Sequence, residues 1–199
     1  MFLKSPPPLI LASTSRYRKE LLGRLGLSFS CIAPGVDEAA HPGEAHRDLV
    51  ARLARAKASA VSVQQPNAWV IGSDQIAALD EGPARLGKPG TAARCHEQLR
   101  SCSGRTVEFL TAVALMRADN GALIEFTDTT RVLFRVLDQA TIERYVAKEQ
   151  PLDCAGGFKS EGLGISLCES IDSADPSALI GLPLIRLSAA LRTAGFEVP

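Results

Sequence analysis

The chain has 199 residues, of which 46% are hydrophobic and 22% charged, with 22 basic and 22 acidic side chains and therefore no formal net charge. That length suffices for one domain, or two small lobes, with a sizeable buried core. A zero balance argues against a dedicated nucleic-acid binder, which carries a basic stripe, and no apolar run approaches the ~20 residues of a membrane span.

Met1 to Lys4 leads into Pro6-Pro7-Pro8, which breaks any signal-peptide core, so residues 1–8 read as a flexible extension. Leu9-Ile10-Leu11-Ala12 predicts a short buried strand, and Ser13-Thr14-Ser15 a helix start, with the helix over 16–25. A second strand is expected over 29–33, stopped by Pro34-Gly35, followed by the acidic loop at Asp37-Glu38. Helical periodicity runs over 46–63, with Leu49, Val50, Leu53, Ala54 and Val61 on one face. Trp69-Val70-Ile71 predicts a buried strand ending at Gly72-Ser73-Asp74, and 76–79 continues it after a bend. A loop over 80–90 carries Gly87-Lys88-Pro89, and Thr91 caps a helix through Leu99. Strands over 106–117 and 122–136 flank the hairpin signal Asn120-Gly121. Asp138 caps a helix ending before Pro151, 156–167 is a glycine-rich loop leading to a strand, and Pro183 opens a last helix. Alternating strands and helices around a long hairpin give a mixed α/β sheet with flanking helices in one domain over 1–199.

The five cysteines are odd in number and contain no Cys-x-x-Cys, which fits reduced thiols in the cytoplasm. The three histidines form no zinc-type spacing.

Ligands in α/β sheets collect outside the carboxyl ends of strands, and two such ends carry polar clusters. At Ser13-Thr14-Ser15 with Arg18, hydroxyls and free N–H groups make either a phosphate seat or an ordinary capped helix start. At Gly72-Ser73-Asp74-Gln75, the carboxylate is either a metal ligand that activates water or a turn aspartate bonding its own backbone. Lys57 falls on the apolar stripe of its helix, so it either snorkels or finds an anion. Lys88 lacks the spacing of a Walker A loop. Lys159 and Glu161 sit in the glycine-rich segment 156–162, which either approaches a ligand or simply turns.

The order of these pieces is more informative than any one of them. Leu11-Ala12-Ser13-Thr14-Ser15-x-x-Arg18, Val36-Asp37-Glu38, Ala56-Lys57, Ile71-Gly72-Ser73-Asp74-Gln75, Gly87-Lys88-Pro89, Phe158-Lys159-Ser160-Glu161-Gly162 and Gly181-Leu182-Pro183 together resemble the Maf family of nucleoside triphosphate pyrophosphatases. Tyr17, Gln75, Glu161 and the stretch Gln150-Pro151-Leu152-Asp153-Cys154-Ala155-Gly156 resemble its 7-methyl-GTP branch rather than its dTTP/UTP branch. Arg16 stands where proline is usual, and the loop over 80–85 is longer than usual.

The resemblance implies a mixed sheet in two lobes around a cleft, similar to inosine triphosphatase-like folds, in a homodimer. It implies hydrolysis of 7-methyl-GTP to 7-methyl-GMP and pyrophosphate, with a nucleotide substrate and neither nucleic acid nor membrane as partner. Asp74 would be the catalytic base and, with Glu38, would hold Mg²⁺ or Mn²⁺. Ser13, Arg18, Lys57 and Lys88 would bind phosphate, while Tyr17, Gln75 and Glu161 would select the base. The rival within the family is a dTTP/UTP or other modified-nucleotide pyrophosphatase. The rival of another class is a non-catalytic nucleotide-binding regulator linked to cell division.

Overall fold

The computed structural model describes residues 7–79 and 85–199; the expected N-terminal extension and the long loop lie largely outside the described residues. The chain forms two compact units. Unit 1 draws on Met1–Asp74, Thr111–Asp128 and Gly181–Pro199, and unit 2 on Gln75–Leu110 and Thr129–Ile180. A mixed seven-stranded sheet has the order β2-β1-β3-β5-β6-β7, with β4 beside β3.

Unit 1 is built on β1 (Leu9–Leu11), β2 (Ser30–Cys31) and the first part of β3 (Trp69–Leu79). β1 pairs in parallel with both neighbours, Leu11 meeting Cys31 on one side and Ile71 on the other. Helices α1 (Arg16–Gly23), α2 (His46–Ser62) and α5 (Leu184–Thr193) belong to this unit. Each buries the stripe its sequence spaces at helical intervals: Leu21 and Leu22 in α1, Leu49, Val50 and Leu53 in α2, and Leu187 and Leu191 in α5. The strands β5 (Thr106–Arg117) and β6 (Ala122–Phe134) turn at Asn120-Gly121, where Gly121 takes φ 68°, as the sequence predicted.

Unit 2 contains β4 (Arg85–Leu86), α3 (Ala92–Cys102), α4 (Gln139–Glu149) and β7 (Cys168–Ser173). β4 runs antiparallel to β3 and β7 antiparallel to β6. Its core gathers Leu99, Val107, Phe109, Phe134, Ile142 and Phe158. Phe158 stands edge-on to Phe134, with ring centroids 5.1 Å apart. Thr91 and Asp138 cap α3 and α4 through their side chains, as their positions predicted. The glycine-rich stretch forms two short 3-10 turns, Ala155–Gly157 and Leu163–Leu167, before β7.

Two expectations are corrected: the segment expected as loop over 80–90 carries the short strand β4 at Arg85–Leu86, and the end of the third strand is misplaced. β3 neither ends at Gly72-Ser73-Asp74 nor bends there; it runs unbroken from Trp69 to Leu79. Asp74 is therefore a mid-strand residue and not a turn aspartate. Both faces of β3 are covered, so its burial does not alternate and the polar Ser-Asp-Gln run looks like a break when read from sequence.

Gly72 explains how a helix comes so close to this strand. A Cβ at Gly72 would run into the backbone carbonyl of Ala54 and would lie 2.5 Å from the backbone nitrogen of Ala58. Gly72 and Asp74 are two residues apart and so share a face of β3, and that face carries α2. We expect Gly72→Ala to lose about 1–3 kcal/mol through overpacking, seen as a lower urea midpoint at an unchanged m-value.

Candidate active site

Four charged side chains converge in unit 1. Lys57 follows Ala54 by one turn on the buried stripe of α2, and it is 5% exposed. Its Nζ donates to Asp74 Oδ1 at 2.6 Å and lies 2.5 Å from Glu38 Oε1. The apolar-stripe lysine thus finds two anions rather than snorkelling. Asp74 is 8% exposed, whereas Glu38 is open to solvent. Asp74 lies three residues beyond Ile71, where the parallel β1–β3 pairing stops, so the site still sits past the carboxyl ends of parallel strands.

The loop that brings Glu38 here is tied to α2. Arg52 grips Glu44 with two bonds, at 2.6 and 2.8 Å, and donates to the Ala39 carbonyl at 2.9 Å. Asp37 turns inward on its own loop, accepting the Ala39 N–H. Neither Arg52 nor Glu44 was picked out from sequence, because an Arg–Glu pair across eight residues of loop and helix has no local signature.

Arg18 lies in the first turn of α1, with Ser15 capping that helix by accepting the Arg18 N–H. Ser13 is buried and accepts the N–H of Ser15, so both serines do cap work. Arg18 Nε donates to the Gly181 carbonyl at 3.0 Å, and Ser73 Oγ donates to the same carbonyl at 3.1 Å. This fixes the guanidinium by one edge. Burial lowers the Arg18 pKa from its ordinary value, while the fields of Asp74 and Glu38 oppose that shift. Tyr17 is half-buried and accepts a bond from Arg16 Nη2 at 2.7 Å. The Arg16 guanidinium also lies over the Tyr17 ring, 4.7 Å from its centroid. Arg16, at the position where proline is usual, therefore covers a residue expected to select the base.

The remaining predicted residues lie in unit 2. Gln75 donates its side-chain amide to the Ala178 and Leu179 carbonyls, both at 3.0 Å, and so holds the 178–180 turn. Lys88 and Glu161 are exposed. Lys159 pairs with Glu149 at 2.6 Å, and Glu149 also accepts the Leu163 N–H at 2.7 Å. Glu149 was not picked out from sequence, since it reads as the last residue of an amphipathic helix. The hydrogen bond from Lys159 first, then that from Leu163, holds the Glu149 carboxyl below its usual range.

The thiols offer no competing nucleophile in the core. Burial pushes Cys95 up to about 11, Cys102 up to about 12 and Cys168 up to about 11, so all three stay protonated at neutral pH. None of the five cysteines, all within the described residues, forms a disulfide.

Chemically, unit 1 offers hard carboxylate oxygens and two cations whose charges cancel. Such a set suits an anionic ligand that arrives with its own counter-cation. The match to known proteins agrees with that chemistry. The family model described as Maf-like protein covers residues 8–194. The chain belongs to the Maf family. A relative from Xanthomonas oryzae pv. oryzae, named 7-methyl-GTP pyrophosphatase, is 56% identical over 97% of this chain and 100% of its own length. Similar relatives of the same name come from Alkalilimnicola ehrlichii, 55% identical over 96% of both chains, and Pseudomonas syringae pv. syringae, 50% identical over 97% of this chain and 100% of its own. Among solved structures, the Staphylococcus aureus Ham1 protein aligns with 64% of this chain and 71% of its own at 15% identity and a TM-score of 0.46.

Two outcomes are expected of this Maf chain. Lys57→Met, which strands the buried Asp74 without its partner, is expected to cost about 3–5 kcal/mol, measured by chemical denaturation. The Glu149 effect has a definite sign. Its folded pKa lies below its unfolded one, so its stabilisation is complete above the usual carboxylate range and is lost as pH falls through the folded value. Glu149→Gln is expected to lower the melting temperature at pH 7 and to flatten the acid side of the stability–pH curve.

Proposed function

We propose that the chain is a hydrolase that cuts 7-methyl-GTP between its α and β phosphates, giving 7-methyl-GMP and pyrophosphate. The observation that carries this is the buried Lys57–Asp74 pair with Glu38 and Arg18 beside it, in a chain matching the named pyrophosphatases from end to end.

Asp74 is the general base in this reading. Lys57 takes Oδ1, which fixes the carboxylate and leaves Oδ2 to accept a proton from the attacking water. Lys57 and Arg18 then face phosphate oxygens and offset the charge that develops as the bond breaks. Arg18 keeps its Nη groups for this task because Nε is spent on Gly181. Ser13 and Lys88 add further phosphate contacts.

A triphosphate brings about four negative charges, more than these neutral surroundings can balance. Asp74 and Glu38 fit a divalent metal in their chemistry: both are hard oxygen donors, and the Lys57 ammonium engages only one oxygen of each. Among the described residues no cluster of three or more His, Cys, Asp or Glu side chains could hold a metal, so substrate and water would complete the shell, as Mg²⁺ prefers. When bound, Mg²⁺ or Mn²⁺ would screen the phosphates and lower the pKa of water.

For the base, N7 methylation puts a positive charge on the purine. Tyr17 stacks on that cationic ring, Glu161 accepts from the guanine N–H edge, and Gln75 adds a polar contact. No helix among the described residues is long and apolar enough to cross a membrane, and cysteines that form no disulfide suit the cytoplasm. A homodimer belongs to the same proposal.

The test is a pyrophosphate-release screen over canonical and modified nucleotides with Mg²⁺ or Mn²⁺. Expected are the highest kcat/KM for 7-methyl-GTP and loss of turnover with a chelator. A preference for dTTP or UTP would refute the base assignment, and pyrophosphate release from none would favour a regulator. Arg16 covers the Tyr17 ring, so Arg16→Ala should lower KM for 7-methyl-GTP by about two- to five-fold, the scale of one exposed cation–π contact.

A further inference from the structure

The segment 158–164 is clamped from below. The Tyr145 hydroxyl donates to the Gly157 carbonyl at 3.1 Å and accepts the Lys159 N–H at 3.0 Å. Glu149 grips the same segment at two points: Oε1 holds Lys159 Nζ at 2.6 Å and Oε2 holds the Leu163 N–H at 2.7 Å. Gly162 lets the carboxylate come this close, because a Cβ there would sit 2.5 Å from Glu149 Oε2 and push it out of its present position. The loop is therefore wrapped around one carboxylate, with Glu161 at its exposed tip.

Lys159 has two carboxylates within reach of its field. Glu149 holds it by a direct bond, and Glu161, two residues along, acts on it through space. A lysine side chain freed from Glu149 would turn to Glu161 and neutralise it. A neutralised Glu161 would lose its preference for a base bearing a positive charge.

We propose that Glu149 is a positioning residue for substrate specificity: by holding Lys159 it keeps that cation off Glu161 and leaves the Glu161 carboxylate to meet a cationic base. This rests on the reading of Glu161 as the base-selecting carboxylate. It assigns a task to Lys159 as well, that of occupying the clamp rather than touching substrate.

The experiment measures the ratio of kcat/KM for 7-methyl-GTP to that for GTP. Glu149→Gln keeps an acceptor for the Leu163 N–H but releases Lys159. Its ratio is expected to fall about tenfold, the loss of one charge-assisted contact, through KM at unchanged kcat. Glu149→Asp keeps the charge and is expected to retain most of the ratio. In Glu149→Gln/Lys159→Met the freed cation is gone, and the ratio is expected to recover. A general loosening of the loop could not be mended by a second substitution, so a fall that Lys159→Met leaves unrepaired overturns the proposal. Glu161→Gln separates the two ideas. If it lowers the ratio while Glu149→Gln does not, the proposal fails and the base reading stands. If neither variant moves the ratio, the base reading fails and takes the proposal with it.

Discussion

A lysine ammonium and an aspartate carboxylate, both withdrawn from water, set the terms for unit 1. Burying two charges costs roughly several kcal/mol per ion, and their attraction offsets this only with good geometry and further polar partners. Lys57 and Asp74 meet that condition by direct contact and by the presence of Glu38. The geometry depends in turn on Gly72, whose missing side chain lets the α2 backbone lie against β3. Arg52 ties down the loop that carries Glu38, and the Gly181 carbonyl gathers Arg18 and Ser73. Each of these contacts serves to place charge around one carboxylate.

That arrangement has a functional reading because it costs stability. A well-packed apolar pair of similar volume is often neutral or more stable than a buried ion pair, so the pair needs a reason other than folding. In the proposed reading, an ammonium and a guanidinium fixed along one edge keep a water-excluded carboxylate ionised and present positive charge to phosphate. Unit 2 shows the same economy around Glu149, where one carboxylate orders a lysine, a backbone N–H and a glycine.

Much of the fold was legible in the chain. The caps at Ser15, Thr91 and Asp138, the turn at Asn120-Gly121 and the apolar stripe of α2 are local signals, and each appears where it was expected. Lys57 was legible as a charge on an apolar stripe, though its partners were not. Asp74 was legible as a candidate carboxylate but not in its place: a strand covered on both faces gives no alternation, so a polar run inside it resembles its end. Arg52 and Glu149 gave no signal because what makes them matter is a contact made in space. The meaning of Gly72 was hidden for the same reason, since only the neighbouring helix shows why a side chain is not tolerated.

The central claim is that Asp74 is the catalytic base. Asp74→Asn keeps the shape of the side chain and a hydrogen-bonding oxygen for Lys57 but cannot take up a proton. The decisive measurement is pyrophosphate release from 7-methyl-GTP by this variant, alongside a denaturation curve that establishes folding. If Asp74 takes the proton, the variant is a folded protein with no measurable turnover. A folded Asp74→Asn chain with near-normal kcat would contradict it.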